Sequence, residues 1–258
     1  MANPSDLNPP ILELQDVTIS FGTEVILKNI NLRVQHHETL VLIGPSGDGK
    51  TVLLKTMAGI IPASSGHVFV EGEDWQNLES DHKRELAKKI GVLFQKSALF
   101  DDMTCAENVA FPLKEHTTLN EAQINEKVIH YLEKVGLGQA YGKFPFELSG
   151  GMQRRLGIAR ALALNPEIVF YDDPTAGQDP LNSDKIIDLI VELKKENNST
   201  LIVVTNDMKR AFQIADRVIM VVNQEVIDTG TPDQTKASAD PRIQQFILGR
   251  LRGPLTHD

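Results

Sequence analysis

Apolar residues in this chain fall into two patterns. Short unbroken runs, Thr39–Ile43, Ile168–Tyr171 and Leu201–Val204, have the length of strands buried on both faces. Elsewhere the spacing is helical: Ile124, Val128 and Tyr131/Leu132 share one face of a helix expected over Asn120–Val135, and Ile186, Ile190 and Leu193 one face of Asp184–Lys195. Ile11–Val17 alternates and predicts a half-buried strand. Val25–Val34 predicts further strands, broken near Lys28-Asn29. Further strands are expected at Gly66–Glu71 and at Ile90–Phe94, which ends on Gln95. Arg217–Val222 and Glu225–Ile227 predict a hairpin turning at Asn223-Gln224. A helix is expected over Ser80–Lys89, and shorter ones near Asp233–Lys236 and from Arg242 to Leu251. Strands alternating with helices imply an α/β core.

Between residues 97 and 165 the strand signals vanish. A mostly helical insertion is expected there, with Ala106–Leu113 broken by Pro112 and a helix from Gly151 to Leu164. Arg154, Arg155 and Arg160 on that last helix predict a solvated basic face. Residues 1–10 are expected to be a tail, 11–238 the main domain, and 239–258 a terminal helix and tail.

One strand leads straight into chemistry. After Ile43 comes Gly44-Pro45-Ser46-Gly47-Asp48-Gly49-Lys50-Thr51, then Val52 and a helix reaching about Ala58. This is G-x-x-x-x-G-K-[ST] between a strand and a helix, the context that confirms it. The glycines let successive N–H groups face phosphate oxygens, and the helix N-terminus adds partial positive charge. Lys50 can reach β- and γ-phosphates, and Thr51 offers a hydroxyl to Mg²⁺. The Asp48 carboxylate would repel phosphate and is expected to point away.

A second constellation lies at Leu148–Pro180. Leu148-Ser149-Gly150-Gly151 opens a helix, and the strand Ile168–Asp173 follows, ending in two carboxylates at the edge where ligands of α/β sheets bind. One acid can hold hydrated Mg²⁺ and the next accept a proton from water. Phe21 is either a core aromatic or a stacking platform for a base. Trp75 reads as packing.

Composition narrows the partners. Thirty-five acidic residues against 26 basic give a net charge of −9, and aromatics are only 5% of 258 residues. Both argue against nucleic acid as partner. The lone Cys105 excludes an internal disulfide and a Cys-rich metal site. No run approaches the roughly 20 apolar residues of a membrane span, and the first residues lack the pattern of a signal peptide. A cytoplasmic protein is expected.

GPSGDGKT, LSGGMQ and IVFYDD, in this order, resemble the ATP-binding cassette (ABC) ATPases over roughly residues 11–230. The resemblance implies an α/β P-loop NTPase (RecA-like) core with an N-terminal antiparallel β-subdomain and an inserted helical subdomain. It implies a head-to-tail dimer of two copies with ATP and Mg²⁺ at each interface. Phe21 would stack on adenine, Gly44–Val52 would hold the phosphates, and Thr51, Gln95 and Asp172 would serve Mg²⁺. Ser149, Gly150 and Gly151 would grip the γ-phosphate bound to the second copy, and Asp179 would lie between the two sites. The family works beneath integral membrane permease subunits, on the cytoplasmic face of the membrane.

A narrower resemblance, to the ATPases of Mla/MCE-type lipid transporters, rests on ALFDDMT at 98–104, FPLKEHT at 111–117, Gly177-Gln178-Asp179-Pro180 and Asp240-Pro241-Arg242 before Phe246. It implies phospholipid transport between the inner membrane and the outer envelope of a bacterium, with an MCE-domain lipid-binding partner.

Two positions depart from the family pattern. Asp173 stands where the family has Glu, and Asn206 where it has His. Asp loses about 1.5 Å of reach, and Asn206 can donate a hydrogen bond but cannot carry a proton. Lys50, Gln95, Asp173 and Asn206 are the candidate catalytic set. The departures leave two activities open: hydrolysis, at an ordinary or a slow rate, or ATP-gated dimerisation with little turnover. An ABC ATPase for another solute, or one serving translation or DNA repair, is the further alternative.

Overall fold

The computed structural model describes residues 9–256, which form two compact units. The first holds the described residues up to Arg84 together with those from Thr200 onward, and the second holds Glu85–Ser199.

In the first unit, β1 (Leu12–Phe21) and β2 (Glu24–Val34) form a hairpin in an antiparallel sheet of order β2-β1-β4-β5, with β4 Ser65–Val70 and β5 Glu73–Asp74. The break expected near Lys28-Asn29 is a bulge instead. Strand β2 runs through, Asn29 takes φ 52°, and the register with β1 shifts repeatedly. An extra residue bends the strand without ending it. Across the bulge Asp16 and Asn31 exchange two hydrogen bonds, of 3.0 and 2.8 Å. Strand β3 (Thr39–Ile43) is buried throughout, and helix α1 (Lys50–Met57) follows it. Trp75 packs as expected: its ring lies where a side chain on Gly59 would fall, 2.2 Å from an added Cβ. Helix α2 (Ser80–Ala87) starts in this unit, and its residues from Glu85 on belong to the second.

The first strand of the second unit is β6 (Ile90–Leu93), one residue shorter than expected. Helix α3 (Cys105–His116) runs straight through Pro112, against the sequence expectation. Proline removes one backbone donor and crowds the preceding turn. Here a capping box between Thr104 and Glu107 fixes the start, and the buried Asn108 amide ties the helix to Phe100, Met103 and Thr104. Burial of Cys105, Val109 and Leu113 supplies the rest. Helix α4 (Glu121–Lys134) presents the predicted Ile124, Val128, Tyr131 and Leu132 inward. Helix α5 (Gly150–Leu162), strand β7 (Ile168–Asp172) and helix α6 (Pro180–Asn197) complete the unit. Helix α6 starts four residues before the apolar periodicity does, because Asp179 caps it and Pro180 takes its first position.

The chain returns to the first unit with β8 (Thr200–Val204), α7 (Met208–Ile214), β9 (Arg217–Val222), β10 (Glu225–Gly230), α8 (Pro232–Lys236) and α9 (Pro241–Ile247). Strands β8 and β9 flank β3 in parallel, and β10 pairs antiparallel with β9. The predicted hairpin turn falls at Asn223 and Gln224, both at positive φ. Helix α9 stops earlier than the Leu251 expected. Most of the tail expected at 1–10 lies outside the described residues. No helix among the described residues is long and apolar enough to cross a membrane.

Candidate active site

The first unit gathers one half of the candidate residues at the carboxyl edge of β3. Ile43 pairs with Met220 of β9, and Leu42 with Val204 of β8, so the chain leaves between two flanking strands. It leaves at Gly44, whose φ is 140° and where an added Cβ would stand 2.0 Å from the Val221 carbonyl oxygen. Only glycine fits there. Gly47 and Gly49 both take φ 96°, curling the loop back on itself. Gly49 is the N-cap of α1 and offers no side-chain cap, which leaves the first amides of the helix directed at whatever enters the loop.

Lys50 is only 6% exposed, and its ammonium donates to the carbonyls of Gly44 and Pro45, each at 2.7 Å. The cation therefore folds back over the loop and adds its charge to the helix dipole. Such a cradle fits a polyphosphate. Ser46 and Gly47 are exposed at its rim, and Thr51 and Val52 are half-buried. The Asp48 carboxylate accepts from the Asn223 backbone N–H at 3.3 Å, so it is held by the β9–β10 turn as expected of an acid that avoids phosphate. Asn206 emerges exposed just beyond β8, where the Thr205 N–H donates to Leu42 O at 3.2 Å. Phe21 is 51% exposed at the end of β1, which rules out the core-aromatic reading.

The second unit gathers the other half. Strands β6 and β7 run parallel, with Leu93 opposite Tyr171. Gln95 and Asp173 each lie two residues further on, so they leave one sheet edge side by side. Asp172 ends β7 and is 3% exposed. Asp173 has already left the strand expected to include it: its φ is 47°, and its carbonyl accepts from Ala176 N–H in a turn. Aspartate tolerates this left-handed backbone better than most side chains.

Ser149 caps α5, its hydroxyl accepting from Met152 N–H at 3.3 Å, and Ser149 and Gly150 are exposed. The side-chain amide of Gln178 lies against both signature glycines, 3.6 and 3.2 Å from Cβ atoms built on Gly150 and Gly151. Asp179 is held ionised by the backbone and side-chain donors of Asn182, chiefly the backbone N–H, which keep its carboxyl below the usual range.

The three arginines do not form a solvated face. Arg154 is 5% exposed and donates to Phe94 O and Gln95 O. Arg155 reaches Val135 O, and Arg160 reaches Ser97 O and Ala98 O beside the Phe100 ring. Helical periodicity places charges on a face; it does not show that a neighbouring loop needs donors. These side chains are what sequence reasoning missed.

A carboxylate, a hydroxyl and a side-chain amide are oxygen donors that suit a hard cation; the second unit carries Asp172 and Gln95, and the first carries Thr51. No cluster of three or more acidic, His or Cys residues suited to a metal occurs among the described residues.

The family model described as ABC transporter matches residues 27–176. The chain belongs to the ABC transporter family. It is 41% identical over 249 residues to the intermembrane phospholipid transport system ATP-binding protein MlaF of Haemophilus influenzae, covering 96% of this chain and 94% of that one. It is 36% identical over 244 residues to the probable ribonucleotide transport ATP-binding protein mkl of Mycobacterium leprae, covering 95% of this chain and 70% of that one. Among solved structures it resembles a dimeric ATP-binding cassette in a post-hydrolysis state bound to ADP and Pi. There the TM-score is 0.77 and the identity 32%, over 83% of this chain and 96% of that one. The fold is accordingly the RecA-like P-loop fold of ABC ATPases, with its N-terminal β-sheet and helical insertions, and the chain is an ATP-binding ABC ATPase subunit.

Proposed function

We propose that this chain is the ATP-hydrolysing subunit of a bacterial phospholipid transporter. It works as a pair of identical copies on the cytoplasmic face of the inner membrane, beneath integral permease subunits and with an MCE-domain lipid-binding partner. The observation that carries the reading is the 41% identity to MlaF along nearly the whole of both chains. The lower coverage of the mkl relative, 70% of its length, makes nucleotide transport the weaker reading. No nucleic acid takes part.

In this reading the exposed Phe21 stacks on the adenine. The backbone N–H groups of residues 44–52 surround the phosphates, with proline lacking one. Lys50 exchanges its two carbonyl partners for β- and γ-phosphate oxygens. Thr51, Gln95 and Asp172 would hold Mg²⁺, which would supply positive charge to offset that of the phosphoryl oxygens. Asp173 accepts a proton from the attacking water as the new P–O bond forms and the bond to ADP breaks. Asn206 donates its amide N–H to the γ-phosphate. Ser149, Gly150 and Gly151 serve the ATP of the second copy, a role that suits the exposure of Ser149 and Gly150.

The test is reconstitution of the full chain in phospholipid vesicles with the permease subunit that co-purifies with it. ATP-dependent movement of labelled phospholipid, lost in Lys50→Ala, is expected. Coupled movement of a nucleotide and not of lipid would overturn the phospholipid assignment.

A further inference from the structure

The loop after β6 carries Gln95 and has an unusual backbone. Ser97 and Ala98 both take left-handed φ, 58° and 47°, so the carbonyls of the loop diverge from any sheet ladder. Unpaired carbonyls at a partly buried position are costly. Helix α5 resolves this with two guanidinium forks. Arg154 donates to Phe94 O at 3.0 Å and to Gln95 O at 2.6 Å; Arg160 donates to Ser97 O and Ala98 O, both at 2.8 Å. The Lys96 carbonyl accepts from Ala98 N–H. The approach is close because residue 157 is glycine: a Cβ there would stand 2.6 Å from the Leu93 side chain and 3.2 Å from Ser97 Cβ.

Arg154 differs from Arg160 in one respect. Its charge is also faced by the carboxylates of Asp173 and Asp172, which offset the effect of burial on the guanidinium. Its two hydrogen-bond partners are neutral carbonyls. One buried side chain on the helix opened by the signature motif therefore touches the Gln95 backbone.

We propose that Arg154 is a positioning residue for ATP hydrolysis: from the signature helix it fixes the Gln95 loop at the level of Asp172 and Asp173. The proposal rests on the hydrolytic reading given above. Arg154 touches no reacting atom and acts through Gln95.

A double-variant cycle on the full chain tests this, using steady-state phosphate release and ATP affinity by titration of a fluorescent ATP analogue. Arg154→Gln is expected to lower kcat roughly 10- to 100-fold, the scale of an ångström-sized misplacement, with ATP affinity unchanged. In a Gln95→Ala background the same substitution is expected to lower kcat by no more than about twofold, because interacting positions are not additive. Full multiplication of the two effects, or an unchanged kcat in Arg154→Gln, would overturn the proposal. Arg155→Gln removes a comparable carbonyl contact at Val135 and is expected to lower the melting temperature with kcat intact. If Arg154→Gln does not fold, Arg154→Lys replaces it in the same cycle and is judged by the same non-additivity. Turnover that survives Lys50→Ala would instead contradict the hydrolytic reading itself, which separates the two failures.

Discussion

Gln95 and Asp173 leave adjacent parallel strands at the same level, two residues beyond the paired Leu93 and Tyr171. The backbone of one is held by a buried arginine, and the backbone of the other turns left-handed. A side-chain amide and a carboxylate thus share one sheet edge. Gln95→Ala is expected to lower kcat roughly 10- to 100-fold while ATP affinity holds. Phosphate release and nucleotide titration, run on the same preparation, check both halves.

Lys50 and Gly44 form the corresponding relationship in the first unit. Removing the ammonium removes a charge-assisted contact to phosphate, worth about 1.5–3 kcal/mol. Lys50→Ala is therefore expected to weaken ATP binding about 10- to 100-fold and to abolish turnover. Isothermal titration with ATP measures the first effect.

Gly44→Ala should fail for a different reason. Its Cβ would meet the Val221 carbonyl oxygen at 2.0 Å, and backbone on either side of the contact belongs to β3 or β9. The strands must part, and a loss of about 1–3 kcal/mol is expected, typical of overpacking. For a chain of this size that is a fall of several degrees in melting temperature, with ATP binding reduced. Thermal unfolding without nucleotide isolates the backbone effect.

The left-handed backbone at Asp173 bears on the residue that departs from the family pattern. Glu there would gain reach, but it tolerates positive φ less well than Asp. Asp173→Glu alone is expected to lower the melting temperature slightly. If residue 173 limits hydrolysis, the double variant Asp173→Glu with Asn206→His should raise turnover. Unchanged turnover in the double variant would show that neither departure is rate-limiting.

Much of this site was legible in the sequence because its parts are local. The P-loop needs only glycines, a lysine and a threonine between one strand and one helix. The acid pair needs only the end of an apolar run. The buried strands β3, β7 and β8 announced themselves as uninterrupted apolar stretches. What escaped depends on neighbours distant in sequence. Arg154 looked solvated because nothing local reveals that Phe94 O and Gln95 O, about sixty residues earlier, need donors. Pro112 looked like a helix break because its local penalty is visible and the offsetting burial of α3 is not. Phe21 could be placed on the surface only once β1 had a partner strand. Asn29 looked like an interruption because a bulge and a break read alike along one strand.

Asn tolerates left-handed backbone as Asp does, so Asp173→Asn changes the proton acceptor and leaves the turn in place. Steady-state phosphate release by the full chain, wild type against Asp173→Asn at saturating ATP, is the most direct test of hydrolysis through this carboxylate. The account predicts a fall of at least about 100-fold, the lower end of the scale for loss of a general base, with unchanged ATP affinity. Equal turnover in the two proteins would contradict it.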